Sequence, residues 1–355
     1  MRRSPIALLA AAVLATAAAC GDSGPASTAT APPVDAGAPG EGELHIVTAD
    51  GIALGEVIPA FETATGCRVT VDARGSSAEV ARSAAADTAD VFALSGDSVR
   101  SLAAADVAAE LPRGVDDDIL PAVRQAGDRG GRRYGIPFVW GTELLLSSRR
   151  AFPVPPASFD SLYDPAFAGR IAVPDDPLQI ALAALVLATS DPYALDAADL
   201  DAAGQLVQRQ RPLVREYWSD PSDLAGLFAD GRIVLGQARG KVATSLAPLG
   251  VDATMPAGPA LGWSDWFVTA ARAPHPRCAA KWRNYALSPS VQIALAHEAG
   301  GSPAVRTACA VMGPAACSAD HLDDSALLGS LHMARTPLEP TGIGAWEQTW
   351  GAARR

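Results

Sequence analysis

The sequence predicts an α/β fold built on parallel strands, and three observations carry that prediction. Short β-favouring runs alternate with helical periodicity from Leu44 onward. A similar alternation returns between Ala157 and Gly240. Behind an N-terminal leader, about 310 residues remain, enough for two domains of ordinary size.

The first unit reads in order. Leu44 to Thr48 is a strand; Leu54, Val57, Ile58 and Phe61 fall at helical spacing, and Gly66 supplies a C-cap. Val69 and Val71 alternate with polar neighbours as a second strand, Ser76 or Ser77 caps a helix running through Ala86, and Val91 to Leu94 is a third strand. A β-α-β-α-β order requires parallel pairing with right-handed crossovers. Ligands of such sheets bind beyond the carboxyl ends of the strands, here Ala49 to Gly51, Arg74 to Ser77 and Ser95 to Asp97. In the second unit, ASFDSLYDPAFAGRIAVPDDP (Ala157 to Pro177) reads as helix, turn, strand and a helix start at Asp175 or Asp176. FADGRIVLGQARG (Phe228 to Gly240) gives another strand with a Gly-rich turn.

The leader runs from Met1, Arg2 and Arg3 through the apolar stretch Ile6 to Ala19, the pattern of a secretory signal peptide. Gly21 to Pro25 spells GDSGP, the string around the nucleophilic serine of trypsin-like proteases, but no histidine precedes Ser23 to serve as its base. Small residues followed by Cys20 resemble the lipobox of a bacterial lipoprotein; the alternative is an ordinary signal peptide cleaved nearby. Residues 1–20 are therefore expected to direct export, with Cys20 as a lipid anchor, and residues 21–42, rich in Ala, Pro, Gly, Ser and Thr, to form a flexible linker.

Composition excludes several classes. With 39 acidic and 28 basic side chains and a net charge of -11, a phosphate backbone would be repelled, so no nucleic-acid partner is expected. Past the leader no apolar run reaches the roughly 18 to 20 residues that span a bilayer. The histidines His45, His275, His297, His321 and His332 fall in no catalytic or zinc motif, and His297-Glu298 does not continue as HExxH. Gly236 to Lys241 has three residues between its glycines, too few for a phosphate-binding P-loop, and Val242 replaces the hydroxyl residue. No metal and no cofactor are expected. Cys67, Cys278, Cys309 and Cys317 are even in number in an exported chain and read as disulfides. The cheapest closure is Cys309–Cys317, leaving Cys67–Cys278.

Several segments, in order, resemble the spermidine/putrescine-type group of solute-binding subunits of ABC importers. They include FETATGCRV (Phe61 to Val69), ALSGD (Ala93 to Asp97), YGIPFVWGTELLL (Tyr134 to Leu146), SLYDPAFAGRIAVPDD (Ser161 to Asp176), EYWSD (Glu216 to Asp220), GWSDWFV (Gly262 to Val268), HPRCAAKWRNYALSPSVQIALA (His275 to Ala296) and WEQTW (Trp346 to Trp350). The resemblance implies a two-lobe periplasmic binding protein fold of type II, whose hinge the chain crosses more than once and whose cleft holds the ligand. Lobe I is expected from residues 43–145 and 266–300, and lobe II from 146–265 and 301–355.

A polyamine cleft needs carboxylates to pair each ammonium and aromatic faces over the methylenes. The family's Trp-x-Asp element matches Trp263 and Asp265, and its Asp-x-x-Glu element falls on Asp176 with Gln179 in place of the second acid. Where that family places a tryptophan after a later strand, this chain has Gln237, Ala238 and Arg239. Arg239 would repel a diamine, unless it faces solvent or an acid. Ser76 and Ser77 at a helix start offer N–H groups to a carboxylate, Ser95 and Asp97 lie on the same rim, and Trp140 is a further candidate lining residue. The expected function is capture of a small amine-bearing solute, a polyamine such as putrescine or spermidine, by a monomer that delivers it to the transmembrane subunits of a permease. An amino acid of the γ-aminobutyrate type is the alternative ligand; an exported hydrolase or a sensor on the same fold are the alternative classes. No catalysis is expected.

Overall fold

The computed structural model describes residues 41–337 and 341–355; the leader, Cys20 and nearly all of the expected linker lie outside them. Twelve strands are present among the described residues: β1 (Glu43–Thr48), β2 (Arg68–Ala73), β3 (Val91–Ser95), β4 (Asp128–Arg129), β5 (Arg132–Arg133), β6 (Ile136–Ser148), β7 (Ile171–Pro174), β8 (Val214–Trp218), β9 (Leu235–Arg239), β10 (Val251–Thr254), β11 (Ala260–Thr269) and β12 (Leu331–Met333). β4 and β5 form a small hairpin, and the other strands follow the order β2-β1-β3-β11-β6-β9-β7-β8, with β10 on β6 and β12 on β11. The predicted β-α-β-α-β unit is there: β1 pairs in parallel with both β2 and β3.

Local chemistry explains the first elements. Pro59 opens helix Ile58–Thr65, and Gly66 closes it in the left-handed region at φ 72, its N–H donating to the Glu62 carbonyl. Ser76 caps helix Ser77–Ser83 through a reciprocal capping box with Glu79. The expected continuation through Ala86 tightens into a 3-10 turn at Ala84–Ala86, a common way for a short helix to end.

Two lobes arise because the longest strand changes partners halfway. Residues 136–142 of β6 pair with β11, whereas 143–147 pair with β9 and 145–148 with β10. The first lobe's core joins β1 and β3 to helix Pro276–Ala286, with Phe61, Phe138, Phe267 and Trp282 in mutual ring contact at 4.2 to 5.3 Å. The second lobe's core sets β7 and β9 against helices Gln179–Val186 and Ala197–Gln210. One expected boundary moves. Ala304, Val305, Ala308, Cys317 and Met333 bury their side chains in the first lobe's core, and the chain joins the second only from Ala334, with Trp346 and Trp350. Residues 301–333 thus pack with lobe I, because helix Pro289–Ala299 hands the chain on through Gly300 and Gly301 to the same side of β6, where Ser302 bridges Trp140.

Both disulfides have the expected pairing. Cys67–Cys278 spans 211 positions and ties the start of β2 to helix Pro276–Ala286, whereas Cys309–Cys317 spans only 8. Cross-linking a longer loop removes more unfolded-state entropy. Replacing Cys67 and Cys278 by serine is therefore expected to cost about 2–4 kcal/mol, more than the same change at Cys309 and Cys317; urea denaturation of the two double variants checks the order.

Candidate functional site

Sheet register places the charged residues in a row. Ser95 ends β3 opposite Asp265 of β11; Trp263 of β11 stands opposite Gly141 of β6; Glu143 of β6 stands opposite Arg239 at the end of β9. β7, beside β9, leads through Pro174 to Asp176. Asp97, two residues past β3, lies in the first turn of helix Gly96–Ala104. Strand ends from both lobes therefore meet along one line.

A cavity of about 470 Å³ opens there, with Ser76, Ser77, Ser95, Asp97, Asp176 and Arg239 in its wall. Arg82 and Glu347 stand at its edge, and Thr336, which donates its hydroxyl to the Asp97 carbonyl, completes one side. Asp265 and Glu143 are not part of the cavity lining. Four carboxylates, Asp97, Asp176, Asp265 and Glu143, act through charge on one guanidinium, Arg239.

The crowding appears in their protonation. Burial pushes Asp265 up to about 6, with Arg239 opposing the rise and Asp97 adding to it. Burial likewise raises Asp176 to about 6, against the Leu178 N–H that donates to its Oδ1 at 2.8 Å. At Arg239, burial alone would favour the neutral form, but Glu143, Asp265, Asp97 and Asp176 together outweigh it and hold the group above its ordinary pKa. The Arg239 side chain is nevertheless 42% exposed, so water in the cavity screens these interactions.

The site residues expected from sequence divide into two groups. Ser76, Ser77, Ser95, Asp97, Asp176 and Arg239 line the cavity. Trp263 and Asp265 do not line it: the Arg239 guanidinium sits over the Trp263 ring at 5.6 Å from its centroid, and Asp265 acts on Arg239 through charge alone. Gln179 is buried at the head of its helix, and its Oε1 has no hydrogen-bond partner among the described residues. Gln237 is buried too, with Nε2 donating to Glu143 Oε2 at 3.1 Å. Trp140 stays out of the cleft: it is 1% exposed and donates its indole N–H to the Pro303 carbonyl, a core role.

The anion site expected at the helix start also needs correction. The Ser76 N–H donates to Glu79 Oε2 at 2.7 Å, the Ser76 hydroxyl is shared with the same residue, and Ser77 Oγ accepts from the Ser95 N–H. Glu79 already supplies the carboxylate that this helix start favours. Glu143, by contrast, was not anticipated. Its only signal is one acid inside the apolar run ELLL, and its position opposite Arg239 depends on a strand more than ninety residues later.

Comparison with known proteins agrees with this architecture. The family model for bacterial extracellular solute-binding proteins matches residues 56–321. Among solved structures, the spermidine/putrescine ABC transporter substrate-binding protein PotD of Streptococcus pneumoniae superposes with a TM-score of 0.73 at 16% identity, covering 88% of this chain and 99% of that one. A putative spermidine/putrescine ABC transporter protein from Listeria monocytogenes gives 0.73 at 18% identity with the same coverage. The TpPotD lipoprotein of Treponema pallidum gives 0.68 at 18%, again over 88% and 99% of the two chains. These likenesses show the two-lobe periplasmic binding protein fold. With three quarters of its length inside the family model, the chain belongs to the bacterial extracellular solute-binding proteins.

Proposed function

We propose that this protein captures a small solute bearing at least one ammonium group and delivers it to the membrane permease of an ABC importer. The observation that carries the reading is the pair Asp97 and Asp176 in the cavity wall beside Arg239, with Asp265 and Glu143 adding negative charge from outside the wall. An excess of buried carboxylate is costly unless a cation joins it. The polyamines named for the similar S. pneumoniae and L. monocytogenes proteins fit that requirement, as does any other primary amine of similar size.

Asp97 and Asp176 approach from opposite lobes, so a cation between them draws the lobes together. Closure is then a population shift driven by the solute's better fit to the closed form, and the permease reads that form. The solute leaves chemically unchanged. Export, anchoring through Cys20 and action as a monomer complete the reading; no helix among the described residues is long and apolar enough to cross a membrane.

Asp176→Asn tests the charge without removing the turn hydrogen bond, since asparagine also accepts the Leu178 N–H. A charge-assisted hydrogen bond contributes about 1.5–3 kcal/mol, so the variant should bind its amine at least tenfold more weakly at pH 7.5. Titration calorimetry with putrescine, spermidine and γ-aminobutyrate measures this. No binding by any amine would defeat the reading.

The pH dependence has a definite sign. Burial pushes the Asp176 and Asp265 carboxyls up to about 6, whereas unfolded carboxyls release their protons near 4. Their contribution to folding stability is therefore greatest at low pH and declines as pH rises from about 4 through about 6. Solute binding runs the other way, because an ammonium prefers the ionised carboxylates. Affinity should fall as pH drops from 7.5 to 5, and binding near pH 6 should release protons; calorimetry in buffers of different ionisation enthalpy detects them.

A further inference from the structure

We propose that Arg239 is the specificity-determining residue of the cleft and that the solute carries a carboxylate as well as an amine, an amino-acid-like zwitterion and not a diamine. The inference rests on the amine reading above and adds the chemistry of the other end of the ligand. Arg239 lines the cavity, and its side chain makes no hydrogen bond among the described residues; its ion-pair partner Glu143 Oε1 is 4.0 Å from Nη1, beyond hydrogen-bond reach. Glu143 directs its other oxygen to Gln237. The guanidinium therefore presents unused donors to the cavity.

It is also held in place. The Trp263 ring beneath it donates its N–H to the Thr142 carbonyl at 3.2 Å and is walled by Gly141, Gly240 and Gly301, where an added β-carbon would approach ring atoms within 2.9 to 3.1 Å. A planar guanidinium seated on a fixed ring, its edge free, is suited to forked recognition of a carboxylate. The competing anion site at Ser76 is filled by Glu79, and Arg82 lies exposed at the edge, leaving Arg239 as the inner cation. Nearby, Asp97 Oδ1 is buried without a hydrogen-bond partner among the described residues. The cavity thus sets a donor fork that makes no hydrogen bond beside an aspartate, Asp97, in the same wall. A diamine would satisfy the second while placing a positive charge against the first.

The test compares amines that differ only in the carboxylate, using calorimetry on the wild-type protein and Arg239→Met. The probes are ω-amino acids from glycine to 6-aminohexanoate, the matching alkylamines, and putrescine. The expected result is an amino acid that binds the wild type at least tenfold more tightly than its alkylamine and more tightly than putrescine. That preference should vanish in Arg239→Met, while putrescine gains affinity. Arg239→Lys, which keeps the charge but loses the fork, should weaken the amino acid severalfold, and it carries the test if the methionine variant does not fold. Putrescine or an alkylamine binding the wild type as tightly as every amino acid, or an amino-acid preference that survives both substitutions, overturns the inference and leaves the amine reading standing. Failure of every amine to bind overturns both.

Discussion

The pairing of β11 with β6 is the constraint on which the rest depends. These two strands run antiparallel through the middle of the sheet, with Trp263 opposite Gly141 and Asp265 opposite Val139. β3 attaches to one side of the pair and β9 to the other, so their register fixes how Ser95, Asp265, Glu143 and Arg239 line up. A slip by one residue would turn Asp265 to the opposite face of β11 and separate it from Arg239. Buried ladders resist such slips, because Trp266 and Phe267 would also leave their cores.

The same pair unites stability with function. β6 leaves β11 at Thr142 and joins β9 at Glu143, so the change of lobe and the first acid of the second lobe are adjacent residues. Trp263 sits at that crossing, packed by glycines below and covered by a guanidinium above. Motion of one lobe against the other therefore bears on the ring that seats Arg239.

Much of this was legible in the sequence for physical reasons. The first β-α-β-α-β unit announces itself through period-two and helical spacing and through Gly66 and Ser76 as caps, all local signals. Asp97 was found because polar residues at strand ends of an α/β sheet point to its ligand rim, whereas Asp176, Asp265 and Arg239 came from the resemblance to the spermidine/putrescine-type group. Glu143 was not found, since its importance comes from pairing across β9. The role expected for Ser76 failed for a local reason that the sequence does contain: Glu79 stands three residues on, where a capping box closes the helix start. Trp140 was placed in the cleft on residue type alone, whereas the bridge to Ser302 and the Pro303 carbonyl bury it. The lobe boundary at residue 301 missed that a chain emerging from a first-lobe helix can stay in that core for another turn of elements before crossing.

The central claim is that an ammonium group joins the carboxylates of the two lobes. A crystal structure of the protein with its tightest-binding amine tests it most directly. The account predicts the ligand nitrogen at about 3 Å, hydrogen-bonding distance, from Asp97 or Asp176, with the lobes closed around it. A ligand whose nitrogen faces solvent or lies away from both aspartates would contradict it.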